Sequence, residues 1–161
     1  GSGCIAIALK SVIKSAEVLA LDISEKALEI ASQNAMANNL DIEFLRRDIL
    51  KETLNEDLKF EIIVSNPPYV KNSEKELMHQ NVLEHEPHLA LFVNDEDPLI
   101  FYKRIIILAD RILKPEGRLY FEINESLGKE INQLLLKNGY KEVEIKKDLN
   151  GKLRMIRAIK I

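Results

Sequence analysis

Residues 1–24, "GSGCIAIALKSVIKSAEVLALDIS", decide the fold. Gly1-Ser2-Gly3 forms a turn that runs straight into an apolar-faced helix, and "AEVLALDI" (16–23) then reads as a strand closing on Asp22 and Ile23. Ser24 caps a second helix, in which Ala27, Leu28, Ala31, Ala35 and Met36 recur at helical spacing. In an α/β fold a glycine turn of this kind follows a strand. The expectation is therefore that residues 1–161 form one domain of a longer polypeptide that supplies the strand ahead of Gly1.

Working outward, "IEFLRRDIL" (42–50) and "FEIIVSN" (60–66) are the next two strands. The first is half polar and expected near an edge; the second is continuously apolar and expected to be central. A polar stretch of low periodicity follows Tyr69 and carries His79, His85 and His88. A helix spans about 98–113, "PEG" (115–117) ends it, and "RLYFEI" (118–123) returns as a strand. Leu127–Asn138 is another amphipathic helix, stopped at Gly139. The final "YKEVEIKKDLNGKLRMIRAIKI" (140–161) holds two alternating runs around Asn150-Gly151, a hairpin signal. Strands and helices alternating in this way predict an α/β protein with a mostly parallel sheet ending in an antiparallel hairpin.

Composition narrows the function. With 46% hydrophobic and 30% charged residues, the 161-residue chain is the size of one domain and can bury a sizeable core. Its apolar runs fall short of a membrane span, so the expected setting is cytoplasmic with no membrane partner. A net charge of −3 gives no general electrostatic grip on nucleic acid. One cysteine, Cys4, excludes an internal disulfide. Residues 141–161 are locally basic, with seven Lys/Arg against three acids, as expected of lysines guarding strand edges. The three histidines, without a cysteine or a dense acid cluster near them, read as surface or substrate-contact residues, and no metal is expected.

Two groups of residues carry chemistry. Glycines let a ligand approach the Gly1-Ser2-Gly3 backbone closely, and the helix after them offers unpaired N–H groups. Nineteen residues beyond Gly3, the Asp22 carboxylate can accept from both hydroxyls of a ribose. Asp48 can accept from an adenine amine, with apolar Ile49 beside the ring, although a turn aspartate would look the same. Together these point to a nucleoside-containing cofactor without choosing one, since Gly1-x-Gly3-x-x-Ala6 also fits a dinucleotide fingerprint.

The second group is "SNPPYV" (65–70), directly after an apolar strand. A strand terminator needs one proline, not an amide, two prolines and a tyrosine. A planar nitrogen, whether of an amide or a base amine, is a poor nucleophile because its lone pair is delocalised. The Asn66 oxygen and the Pro67 carbonyl can each accept one N–H of such a group, while Pro67-Pro68 stiffens the turn and Tyr69 offers a flat face. The matching electrophile is S-adenosylmethionine, which leaves S-adenosylhomocysteine after methyl transfer, and its ribose and adenine suit Asp22 and Asp48.

In these motifs the chain resembles the HemK/PrmC-type methyltransferases, which methylate a glutamine amide in peptide chain release factors. Besides "GSGCIAIAL", "ALDIS" and "IIVSNPPYV", the resemblance runs through "EHEPHLALF" (84–92), "FYKRII" (101–106), "LKPEGRLYFEI" (113–123) and "KDLNGKLRMIRA" (147–158). It implies a Rossmann-like sheet, S-adenosylmethionine as donor, and the glutamine of a Gly-Gly-Gln motif in a release factor as acceptor. It also implies that Asn66, Pro67, Pro68 and Tyr69 hold that amide. Gly1, Ser2, Gly3, Asp22, Ile23, Asp48, Ile49 and Asn66 would contact the cofactor. The family has a first strand and an N-terminal helical domain ahead of the position of Gly1, and usually a glycine where Asn124 stands. Glu86 is a candidate brace for the acceptor turn. Three alternatives remain: an N-methyltransferase acting on an adenine or guanine amine, a nicotinamide oxidoreductase that would leave Asn66–Tyr69 unexplained, and an inert fragment.

Overall fold

The computed structural model describes residues 1–77 and 87–161. They form two compact units, Gly1–Glu52 and Thr53–Ile161, each taken by itself below.

In the first unit, α1 (Cys4–Val12) leads to β1 (Leu19–Asp22), α2 (Glu25–Ala37) and β2 (Glu43–Arg46). The β1 and β2 strands pair in parallel, Leu19 opposite Glu43 and Asp22 opposite Arg46. As expected, Ser24 caps α2, its Oγ accepting from the Ala27 N–H at 3.2 Å. Ala31 and Ala35 form the buried stripe of that helix, whereas Met36, expected on the same face, is exposed. None of the residues of α1 is buried, although its Ile5, Leu9 and Val12 share an apolar face.

The second unit opens with β3 (Phe60–Ser65), then β4 (Val70–Lys71) and a 3-10 turn over Asn72–Leu77. After the undescribed stretch come α3 (His88–Leu91), β5 (Phe92–Val93), α4 (Ile100–Ile112) and β6 (Leu113–Glu122). The chain closes with α5 (Gly128–Lys137), β7 (Tyr140–Lys147) and β8 (Leu153–Lys160). The main sheet has the order β3-β6-β8-β7, with β3 and β6 parallel and the two remaining pairings antiparallel. β4 and β5 make a separate parallel pair.

Two expectations need correction. The strand at 60–66, expected to be central, stands at the edge of the four-stranded sheet of the second unit: among the described residues β3 pairs with β6 alone, and Ile62 and Val64 are exposed. A continuous apolar run reads as buried on both faces, but burial depends on what packs against it. Pro115-Glu116-Gly117 also does not separate helix from strand. The segment lies inside β6 at a register break, where Phe60 faces Leu113 and Ile62 already faces Arg118. Glu116 absorbs the bend with φ 61°. Among the described residues the "mostly parallel" expectation holds for three of the five pairings, and the sheet of the second unit is mixed.

Packing in the second unit is dense. Tyr102, Ile105, Ile106, Ala109 and Ile112 of α4 are buried, as are Leu119 and Phe121 of β6, Ile131 and Leu135 of α5, and Ile156 and Ala158 of β8. Tyr102 and Phe121 pack edge to face, with centroids 5.2 Å apart. Gly139 ends α5 at φ 78°, a left-handed position glycine adopts without strain. The hairpin β7-β8 forms where Asn150-Gly151 called for it, the Gly151 N–H donating to the Asp148 carbonyl at 3.0 Å. Among the described residues no helix is long and apolar enough to cross a membrane.

Candidate functional site

Within Gly1–Glu52 the glycine turn is shaped for close approach. Gly3 sits at φ 80°, immediately before α1, and no side chain caps that helix start. A Cβ built on Gly3 would lie 2.9 Å from the Ala31 Cβ, so glycine is required both by backbone angle and by the contact with α2. The Asn34 amide fixes the turn from α2 by donating to the Ser2 carbonyl at 3.0 Å. Space beside Gly1 is open.

Asp22 ends β1. Its Oδ1 accepts the Ser24 N–H at 2.8 Å, which orients the carboxylate. The Arg47 N–H donates to the Asp22 carbonyl at 3.0 Å, so Asp22 and Asp48 stand at the ends of paired strands. The turn reading of Asp48 is realised: its Oδ1 accepts from the Leu50 N–H at 3.0 Å and Lys51 lies 3.3 Å from Oδ2. Ile23 is exposed beside Asp22, and Ile49 is half-buried. This unit therefore brings together the glycine turn and Asp22, with Asp48 on the neighbouring strand. The donor set suits a ribose-bearing group, because a glycine cradle lies beside a carboxylate oriented through one oxygen.

Within Thr53–Ile161, Asn66-Pro67-Pro68-Tyr69 follows directly on β3. Pro67 is buried, which holds the turn down, while Asn66 is exposed and its side chain makes no hydrogen bond among the described residues. Tyr69 is half-buried, and its hydroxyl donates to Glu122 Oε1 at 2.7 Å. Burial, and then the Glu122 carboxylate, push the Tyr69 phenol up to about 12, so it remains protonated at neutral pH. Arg154 approaches the same hydroxyl through Nη1 at 3.5 Å and meets Asp148 Oδ2 through Nε at 3.5 Å.

Beyond the turn, Glu74 accepts from the Lys71 N–H at 3.4 Å and from the Asn124 amide at 3.3 Å. Asn124 also caps the short turn after β6 through its Oδ1, which accepts from the Ser126 N–H at 3.0 Å. Sequence reasoning missed Glu122, Arg154 and Glu74. The one available signal was a carboxylate closing the otherwise alternating strand "RLYFE". His88 packs edge-on against Phe92 at 5.4 Å, whereas His79, His85 and Glu86 lie outside the described residues.

Comparison with known proteins agrees with this architecture. The chain is similar to a release factor glutamine methyltransferase of Flavobacterium psychrophilum, 54% identical over 98% of this chain and 55% of that protein. It is 47% identical to one of Bacteroides thetaiotaomicron, over 98% of this chain and 57% of that protein. The chain thus spans little more than half the length of these curated relatives. A crystal structure of a methyltransferase from Pyrococcus furiosus shares the fold at TM-score 0.70, covering 97% of this chain and 68% of that one at 20% identity. The fold is accordingly the Rossmann-like α/β fold of S-adenosylmethionine-dependent methyltransferases. The model of the methyltransferase small domain matches residues 1–91, more than half of the sequence and inclusive of both the glycine turn and Asn66–Tyr69, and the chain belongs to that family.

Proposed function

We propose that the full-length protein is an S-adenosylmethionine-dependent methyltransferase that modifies the side-chain amide nitrogen of the Gly-Gly-Gln glutamine in a peptide chain release factor, in the cytoplasm. The observation that carries this reading is the pairing of an exposed Asn66 amide, without a hydrogen-bond partner among the described residues, with a Tyr69 ring pinned three residues away. Similarity to release factor glutamine methyltransferases supplies the substrate class.

Gly1, Ser2, Gly3, Asp22, Ile23, Asp48 and Ile49 would hold the cofactor, whose sulfonium-bound methyl is the group transferred. Asn66 Oδ1 and the Pro67 carbonyl accept the two N–H bonds of the substrate amide, which aims its nitrogen and stabilises positive charge as the N–C bond forms. Both groups are acceptors on a stiff turn, so little reorganisation is needed at the moment of reaction. The nitrogen then loses one proton to water. Tyr69 bounds the planar amide on one face.

The 161 residues are, in this reading, the catalytic part of the longer protein. β1 has a single strand partner among the described residues, and α1 has no fully buried residue, which supports a further strand pairing along the other edge of β1. The test supplies the full-length protein with methyl-labelled S-adenosylmethionine and, in separate reactions, a purified release factor or an oligonucleotide rich in adenine and guanine. Label is expected in the release factor. Label in the oligonucleotide would replace this reading with base methylation, and bound cofactor with no transfer to either would leave an inert binding protein.

A further inference from the structure

The turn that carries Asn66 is held by strands other than its own. β3 delivers the chain through its pairing with β6, Ser65 opposite Phe121. One residue further along β6, Glu122 reaches back to Tyr69, 53 positions earlier in the chain. Residue 122 is itself fixed from the core, because its carbonyl accepts the hydroxyl of the fully buried Tyr102 at 3.0 Å. From β8, Arg154 Nη1 lies 3.5 Å from the Tyr69 oxygen, and the Arg154 carbonyl accepts the Ile123 N–H at 2.9 Å. Asp148, which steadies Arg154, also builds the hairpin turn by accepting from the Asn150 and Lys152 N–H groups at 2.9 and 3.0 Å. The reading of Asn66–Tyr69 as an acceptor turn uses none of these groups, yet a half-buried carboxylate and guanidinium converge on one phenol.

We infer that Glu122, backed by Arg154, is a positioning residue for methyl transfer: it locks the Tyr69 ring in the plane against which the acceptor amide lies. The inference rests on the function proposed above. The phenol is the donor and the carboxylate the acceptor of a short charge-assisted bond. Tyr69 therefore has no donor left for the substrate and acts through its face rather than through its hydroxyl. Because the bond ends on β6 and not on β3, it fixes the turn's exit while β3 fixes its entry, and Asn66 is oriented between the two. Loosening the exit lets the ring tilt and the amide wander, a misplacement that costs turnover without touching the cofactor groups.

The test uses the full-length enzyme with Tyr69→Phe, Glu122→Ala, Glu122→Gln and the Tyr69→Phe/Glu122→Ala pair. Glu122→Ala is expected to lower kcat/KM for the release factor about tenfold, with S-adenosylmethionine affinity within about twofold of the parent. The double variant should be no worse than the more impaired single variant, since both remove one bond. Glu122→Gln keeps an acceptor oxygen and should recover most of the loss. Additive losses, or a fall in Tm with kcat/KM unchanged, would overturn the inference. A second readout needs neither substrate nor Glu122→Ala: the Tyr69 13Cζ resonance of labelled protein, assigned with Tyr69→Phe, should move in Glu122→Gln at neutral pH. An unmoved resonance would refute the clamp. A parent enzyme silent toward release factors would instead defeat the substrate reading, with the resonance still deciding the clamp.

Discussion

Gly1–Glu52 and Thr53–Ile161 solve opposite problems with similar sequence material. In the first, Ala31 and Ala35 are the only buried apolar residues among those described, and α1 leaves Val12 83% exposed. In the second, Tyr102, Ile106, Leu119, Phe121, Ile123, Ile131 and Leu135 are each at most 2% exposed. The sparse unit offers a glycine turn with open space beside Gly1 and a carboxylate oriented by the Ser24 N–H. The dense unit spends its packing on holding one turn. The first unit thus presents its glycine turn and Asp22 on largely exposed elements, whereas in the second unit the Asn66–Tyr69 turn follows a strand that pairs with β6, which carries the buried Leu119 and Phe121.

This contrast can be broken experimentally. The largest effect belongs to the dense core: Ile131→Ala should cost about 2–5 kcal/mol in denaturant unfolding of the full-length protein. A cost below about 1 kcal/mol would mean that the second unit is less tightly packed than its burial indicates. Next comes Asn66→Ala, which should lower turnover by about 10² while changing cofactor affinity modestly. Equal losses in both quantities would erase the division of labour between the units.

Asp22→Ala sharpens the other side. Loss of charge-assisted ribose contacts should weaken S-adenosylmethionine binding by about 1.5–3 kcal/mol in calorimetry and leave release factor binding unchanged. Unaltered cofactor affinity would remove Asp22 from the site. The smallest effect is expected for Gly3→Ala, where a left-handed backbone costs about 1–2 kcal/mol and the new Cβ presses on Ala31. Cofactor affinity should fall together with Tm, since the turn and its seat on α2 are one structure. A Tm loss with affinity intact would separate the glycine turn from the ligand.

Much of the architecture was legible because its signals are local. Ser24 caps α2 through a hydroxyl that reads the same in one dimension as in three, and Gly139 and Asn150-Gly151 mark a helix end and a hairpin by backbone conformation alone. Asn66–Tyr69 stood out because no terminator requires four such residues. What failed was non-local. Ile62 and Val64 belong to a run that reads as core, yet both are exposed among the described residues. Two-residue strands such as β4 and β5 carry too little pattern to detect. Glu122 was invisible as a clamp, because an acid closing a strand is commonly a solvated end, and only the fold brings Tyr69 within 2.7 Å of it.

The central claim is that the Asn66–Tyr69 turn presents a planar amide nitrogen for methylation. It is tested most directly by fragmentation mass spectrometry of a release factor after reaction with the full-length enzyme and S-adenosylmethionine. One added methyl, localised to the side-chain amide of the Gly-Gly-Gln glutamine and absent when Asn66→Ala replaces the parent enzyme, is the predicted result. A methyl on any other residue, or the same modification formed at an undiminished rate by Asn66→Ala, would contradict the account.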